Sequence, residues 1–163
     1  MTFEEFTSSR LTPLLRFAVV LTGERGLAED VVQEVLLRAH QQWRKIGSLD
    51  APEYYVRRMI TNEYLSWRRR WARVVPHATP QVEPGLLPDH AVAHAERDAL
   101  RIELDKLPRR QRAVLVLRYY AGLSDAEIAD TLDCNAGTVR GYASRALAAL
   151  RVTLAPAAIK EHR

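Results

Sequence analysis

Between Val75 and Asp89 the chain reads "VPHATPQVEPGLLPD", with Pro76, Pro80, Pro84 and Pro88 recurring every fourth residue and Gly85 among them. Proline lacks a backbone donor and drives the residue before it out of the helical region, so no helix is expected to cross this stretch. The 163 residues are therefore divided into two units, 1–73 and 92–155, joined by an extended linker over 74–91 and followed by a short tail, 156–163. Hydrophobic residues make up 47% of the chain, enough for each unit to pack a core. The expected fold is all-α: two small helical domains and a Pro-rich linker.

Apolar runs are short, as in Ala113 to Leu117, so no bilayer span and no membrane insertion are expected. The acidic start "MTFEEF" has no basic stretch leading into an apolar one, which argues against a secretory signal. The single cysteine, Cys134, leaves no internal disulfide and no cysteine zinc cluster, as suits a cytoplasmic protein. The net charge of +4 matters less than its placement. Residues 57–73 hold Arg57, Arg58, Arg68, Arg69, Arg70 and Arg73 against Glu63 alone. Residues 125–133 hold Asp125, Glu127, Asp130 and Asp133 and no base. Residues 140–151 hold Arg140, Arg145 and Arg151 and no acid. Such sorting favours a polyanionic partner.

The first unit reads as helices. Phe3 to Arg10 forms a short one, and Thr12 then caps a second with Pro13 at its first position. Leu14, Leu15, Ala18, Val19 and Leu21 give that helix an apolar face, and Gly23 ends it. Leu27, Val31, Val35, Ala39 and Trp43 fall every fourth residue, a helical stripe. A third helix runs from about Pro52 to Arg70, with Tyr55, Met59, Ile60 and Tyr64 as expected core. In the second unit, Ala91 to Leu107 carries Leu100, Leu104 and Leu107, and Pro108 opens the next helix. "AVLVL" there is assigned to helix with Val114, Leu115 and Leu117 buried, because helix formers flank it and no pairing strand exists.

Ser124 to Leu150 has helix-turn-helix spacing. Ser124 and Glu127 form a capping box. Ile128, Ala129 and Leu132 face inward from the first helix, and Val139, Ala143 and Leu147 from the second. Asp133 sits at the turn, where it tolerates left-handed geometry. Asn135 is a cap candidate, and Gly137 permits close approach of the backbone to phosphate. An acidic first helix and a basic second one suit a second helix lying in the major groove, its first turns toward bases and its arginines toward phosphates. The alternative is a helical hairpin with an incidental basic face; spacing, capping and charge together favour DNA.

"RRMITNEYLSWRRRWAR", residues 57–73, interleaves arginines with Tyr64, Trp67 and Trp71. Aromatic faces stack on unpaired bases while arginines hold the backbone, which suits strand-separated DNA. A core tryptophan beside a solvated basic helix end explains the segment equally well. The polar face Asp30, Gln33, Glu34, Arg38 and Gln41, with a Glu34–Arg38 pair one turn apart, reads on its own as a solvated surface. His90 and His94 lack a third ligand and mark a polar helix start, so no metal is expected. There is no glycine-rich phosphate loop, no paired carboxylates at a plausible site and no nucleophile beside a base. Neither a cofactor nor an enzymatic activity is expected.

The segments "LTGERGLAEDVVQEVLLRAHQQW", the arginine-aromatic helix and "LPRRQRAVLVLRYYAGLSDAEIADTLDCNAGTVRGYASRALAALR", in this order around a linker, resemble the extracytoplasmic-function (ECF) sigma factors of the sigma-70 family. Within them the compact actinobacterial group labelled the SigE family is the nearest match, over Phe3 to about Leu154. The resemblance implies that the first unit is sigma region 2, a helical bundle, and the second is sigma region 4, a helix-turn-helix. It implies a dissociable subunit of bacterial RNA polymerase that selects promoters and helps open them, without catalysis of its own. It implies that Asp30, Gln33, Glu34 and Arg38 dock on the β′ clamp coiled coil. Lys45 to Pro52, including Ser48, matches the loop that captures a flipped −10 base. Arg58, Asn62, Trp67, Arg68, Arg69, Arg70 and Trp71 would meet the opened strand. The linker would thread polymerase channels toward the active site and the RNA exit path. Region 4 would meet the β flap and read the −35 duplex through Gly137, Thr138, Val139, Arg140, Tyr142, Ser144 and Arg145. An anti-sigma factor is a further partner common among such relatives.

One departure stands out. Many relatives carry Lys or Arg, then Ser, then Arg after "GTV"; here the residues are Arg140, Gly141 and Tyr142. The serine and the second arginine are missing, which bears on −35 preference. Two other readings remain open. A stand-alone helix-turn-helix regulator is one, since LuxR-type output domains share a similar "GTV" helix start, but residues 1–73 would then have to be sensory or dimerising. An adaptor holding polymerase or an anti-sigma factor without binding DNA is the other.

Overall fold

A computed structural model describes the backbone over residues 1–71 and 91–158, and side chains over 1–66 and 97–151. The chain splits into two compact units, Met1–Leu86 and Leu87–Arg163. Among the described residues all regular structure is helical, which bears out the all-α expectation. The proposed linker, apart from Ala91, lies outside the described residues.

In the first unit, α1 (Phe3–Thr22), α2 (Arg25–Gln41), the single turn α3 (Trp43–Ile46) and α4 (Pro52–Trp71) form a bundle in which α1 and α2 pack together and both pack on α4. The expected break between Arg10 and Thr12 does not occur. Instead Thr2 caps one continuous helix with a capping box completed by Glu5, and Pro13 lies inside it. A mid-helix proline costs about 3 kcal/mol. Burying one large apolar side chain returns about 1.5–3 kcal/mol, and the unbroken helix buries Phe6 from its first half with Leu14, Phe17 and Leu21 from its second. Packing therefore outweighs the proline. Gly23 does end the helix, at φ 77°, its N–H reaching the Val19 carbonyl.

The stripe on α2 is real but wider than four-residue spacing indicated: Ala28 and Val32 are buried beside Val31, Val35 and Ala39. Trp43 falls just past α2, on α3, where its ring meets Phe3 and Phe6 at centroid distances of 5.4 and 4.9 Å. On α4, Ile60 and Tyr64 are buried as expected, and Val56, Thr61 and Glu63 join them.

The second unit is built from α5 (Ala91–Asp105), α6 (Arg109–Leu115), α7 (Asp125–Leu132) and α8 (Ala136–Ala158). Helix α8 packs against α5, α6 and α7. Six consecutive residues, Arg112 to Leu117, are buried, although Arg110 in the first turn is exposed. A helical segment buried on every side loses its amphipathic period, which is why "AVLVL" is a continuous apolar run. Past Leu115 the helix widens into a π-turn, Val116–Tyr120, closed by the Ala121 N–H on the Val116 carbonyl at 3.0 Å. Leu100, expected in the core, is exposed; Leu104 and Leu107 pack with Leu115, Ala146, Leu147 and Leu150.

Candidate nucleic-acid interface

The helix-turn-helix is assembled by side-chain caps. Ser124 accepts from the Glu127 N–H at 3.2 Å while the Glu127 carboxylate accepts from the Ser124 N–H at 2.7 Å. Asp133 takes the left-handed conformation, φ 54° and ψ 52°, and the Cys134 N–H closes back on the Ala129 carbonyl at 3.0 Å. Asn135 then starts α8, its Oδ1 accepting from the Thr138 N–H at 2.8 Å and the Thr138 hydroxyl at 3.1 Å. Gly137 serves this cap directly: a Cβ there would stand 3.2 Å from Asn135 Oδ1, tighter than a relaxed contact. Arg118 ties the π-turn to the start of α7 through an ion pair with Asp125. That hydrogen bond holds the guanidinium pKa above its usual value, against the opposing effect of burial.

On α8, Gly137, Arg140, Ser144 and Arg145 are exposed, while Thr138 and Tyr142 are half-buried. Val139 is corrected: its side chain is wholly buried, so it belongs to the core and leaves the DNA-facing set. Burial agrees with the inward-facing place that helical spacing gave it, not with the DNA contact that the resemblance implied. The exposed arginines lie on a helix that carries no acid between Asn135 and Arg151, next to the acidic α7.

In the first unit, Lys45 is exposed on α3 and so precedes the loop in which it was expected. Ser48 is exposed in that loop, its hydroxyl donating to the Lys45 carbonyl at 2.8 Å. Arg58 (half-buried) and Asn62 (exposed) lie one turn apart on α4. The α4 backbone reaches Trp71; the side chains of Trp67, Arg68, Arg69, Arg70 and Trp71 lie outside the described residues. Tyr64 is only 4% exposed, so it packs the bundle and is not available for base stacking. The loop rests on Trp43: a Cβ on Gly47 would stand 2.9 Å from the indole, and the indole N–H donates to the Met1 carbonyl at 3.1 Å.

Asp30, Gln33 and Glu34 are exposed along one face of α2. Arg38 pairs with Glu34 at 3.2 Å, as the spacing indicated. It also pairs with Glu63 on α4, the one acid in the basic segment. That bond chiefly raises the Arg38 pKa. Leu37 lies among these polar groups, 57% exposed. Sequence reasoning passed over it, although an apolar residue off the Val31–Val35–Ala39 stripe was a readable signal.

The family model for sigma-70 region 2 matches residues 8–74, and that for sigma-70 region 4 matches residues 97–150. The RNA polymerase sigma-E factor of Streptomyces coelicolor is 36% identical over 153 residues, covering 93% of this chain and 85% of its own. The ECF RNA polymerase sigma factor SigL of Mycobacterium tuberculosis is 39% identical over 147 residues, covering 86% and 82%. The chain belongs to the ECF sigma factors of the sigma-70 family. Among solved structures, the sigma factor RpoE from Bartonella quintana, crystallised with the anti-sigma factor NepR, superimposes with a TM-score of 0.71 at 24% identity, over 93% of this chain and 97% of that one; at this identity the likeness speaks for the fold.

As a sigma factor, the protein is the promoter-specificity subunit of bacterial RNA polymerase. It binds the core enzyme, recognises −10 and −35 elements and promotes opening of the DNA for initiation. A stand-alone regulator is not favoured, because region 2 occupies the first unit. Sigma factors as a family are not catalysts. No helix among the described residues is long and apolar enough to cross a membrane.

Proposed function

We propose a division of these tasks among named residues, with residues 1–73 acting as region 2, 74–91 as linker and 92–155 as region 4. The α8 residues Gly137, Thr138, Arg140, Tyr142, Ser144 and Arg145 meet the −35 duplex. The side chains Lys45, Ser48, Arg58 and Asn62, continued by Trp67 to Trp71, meet the −10 strand. Asp30, Gln33, Glu34 and Arg38, with Leu37 added, dock on the β′ clamp coiled coil, and region 4 also meets the β flap. The observation that carries this reading is the side-chain-capped start of α8, which presents exposed Arg140 and Arg145 on an acid-free helix. Basic side chains at the start of a recognition helix are placed for base edges and phosphates. The sigma factor works in the cytoplasm and has no catalytic chemistry of its own. A solved structure of similar fold, the sigma factor RpoE in complex with the anti-sigma factor NepR, supports an anti-sigma factor as a further partner.

The test is run-off transcription by core polymerase and this chain on a pooled genomic template, with start sites sequenced. Aligned starts should share a −10 and a −35 element, and Arg140→Ala should relax preference at one or two −35 positions, by about 1–3 kcal/mol for a lost bidentate contact. A chain that binds core yet initiates nowhere would overturn the assignment in favour of an adaptor.

A further inference from the structure

Gly141 and Tyr142, the two residues that depart from the family pattern, both lie beside the same side chain, Arg145. Arg145 lies four residues after Gly141 and three after Tyr142, so it is a helix-surface neighbour of each. The Arg145 guanidinium carbon sits 5.3 Å from the centroid of the Tyr142 ring, within cation–π range. A Cβ built on Gly141 would stand 3.7 and 3.8 Å from the two terminal nitrogens and 4.0 Å from the carbon between them. The guanidinium therefore lies close to the bare backbone of Gly141 and over the tyrosine ring. A methyl at 141 would just touch it, and a longer side chain would push it away.

We propose that Gly141 and Tyr142 are positioning residues that preset Arg145 as a −35 reader, replacing the serine and second arginine of the family pattern with one held arginine. The proposal rests on the −35 reading of α8. An unrestrained arginine must give up rotamer freedom when it meets DNA. Stacking on the ring surrenders part of that freedom beforehand. A guanidinium held against a ring still has its fork of N–H donors to offer a guanine edge or a phosphate. Because α8 has no acid between Asn135 and Arg151, no carboxylate on this segment competes for that edge. A different role for Tyr142, direct donation of its hydroxyl to phosphate, makes the opposite prediction for removal of the hydroxyl.

The experiment uses reconstituted holoenzyme on a promoter that the wild-type holoenzyme selects from a genomic pool, with every −35 base varied. Tyr142→Leu should weaken −35-dependent initiation about two- to fivefold, the size of a partly exposed cation–π contact, and Tyr142→Phe should rescue it. Gly141→Leu should reproduce the loss and Gly141→Ala should not. Combining Tyr142→Leu with Arg145→Ala should be no worse than Arg145→Ala alone. In the free full-length chain, ring-current shifts of the Arg145 δ protons should persist in Tyr142→Phe and vanish in Tyr142→Leu. The proposal is overturned if Tyr142→Phe is as defective as Tyr142→Leu, or if the Tyr142 and Arg145 defects multiply. If Arg145→Ala initiates normally while the ring-current shifts are present, the stack exists but the −35 assignment of Arg145 itself is wrong.

Discussion

Arg38 is expected to carry two separable effects, and the structural one is the sharper test. Its guanidinium bridges the exposed Glu34 on α2 and Glu63 on α4, whose side chain is only 3% exposed. Arg38→Ala leaves that carboxylate inside the bundle without its guanidinium. Solvent-exposed pairs are worth about 0.2–1 kcal/mol, whereas removing one partner of a fully buried pair costs about 3–5 kcal/mol. Arg38 keeps 37% of its side chain exposed, so the expected loss falls between these limits, about 2–3 kcal/mol. Glu63→Gln, which removes the charge but keeps an amide in place, should cost about 1 kcal/mol, as for an ordinary hydrogen bond weakened. Arg38→Met combined with Glu63→Met should cost less than Arg38→Ala alone, because no buried charge remains. All three tryptophans, Trp43, Trp67 and Trp71, lie in the first unit. Tryptophan fluorescence during urea unfolding of the whole chain therefore reports that unit alone. An Arg38→Ala loss below about 0.5 kcal/mol, the scatter of ordinary surface substitutions, would refute the reasoning and return Arg38 to a purely docking role. Glu34→Ala is the matching control: core affinity should drop while the unfolding midpoint stays put.

Leu37→Ala should lower affinity for core polymerase about tenfold, the order expected of an apolar anchor at an interface, with unit stability unchanged; titration of labelled sigma factor with core measures it. Gly47→Ala must displace the Trp43 indole, costing about 1–3 kcal/mol as other overpacked sites do. Its signature is a changed tryptophan emission together with slower strand opening, visible with a permanganate footprint. In the second unit, Asn135→Ala should lose about 1 kcal/mol with its cap and Gly141→Ala should gain about 0.5–1 kcal/mol of helix stability. Far-ultraviolet circular dichroism of the full chain checks both signs.

What the sequence disclosed depended on how local each cause was. The Ser124 capping box, left-handed Asp133 and the Asn135 cap are decided within a few residues, and each was legible. The α1 break was misread because Pro13 is a local signal while the burial of Phe6 and Phe17 that overrides it is tertiary. The Arg38–Glu63 pair spans 25 positions, and nothing in composition marks which acid meets which base. Val139 shows the converse limit: its place in a recognition motif suggested DNA contact, whereas its place in the inward-facing series with Ala143 gave the burial the structure shows.

The acidic outer side of α7 and the basic start of α8 also have a kinetic consequence. Two neighbouring helices of opposite charge give the second unit a lasting dipole, and a polyanion's field exerts a torque on a dipole well before contact. Approach with α8 leading is favoured, and approach with α7 leading is repelled. The benefit lies in the fraction of encounters that begin in a usable orientation, so added salt should slow capture of the −35 duplex, as expected when ions screen the field over about 8–10 Å.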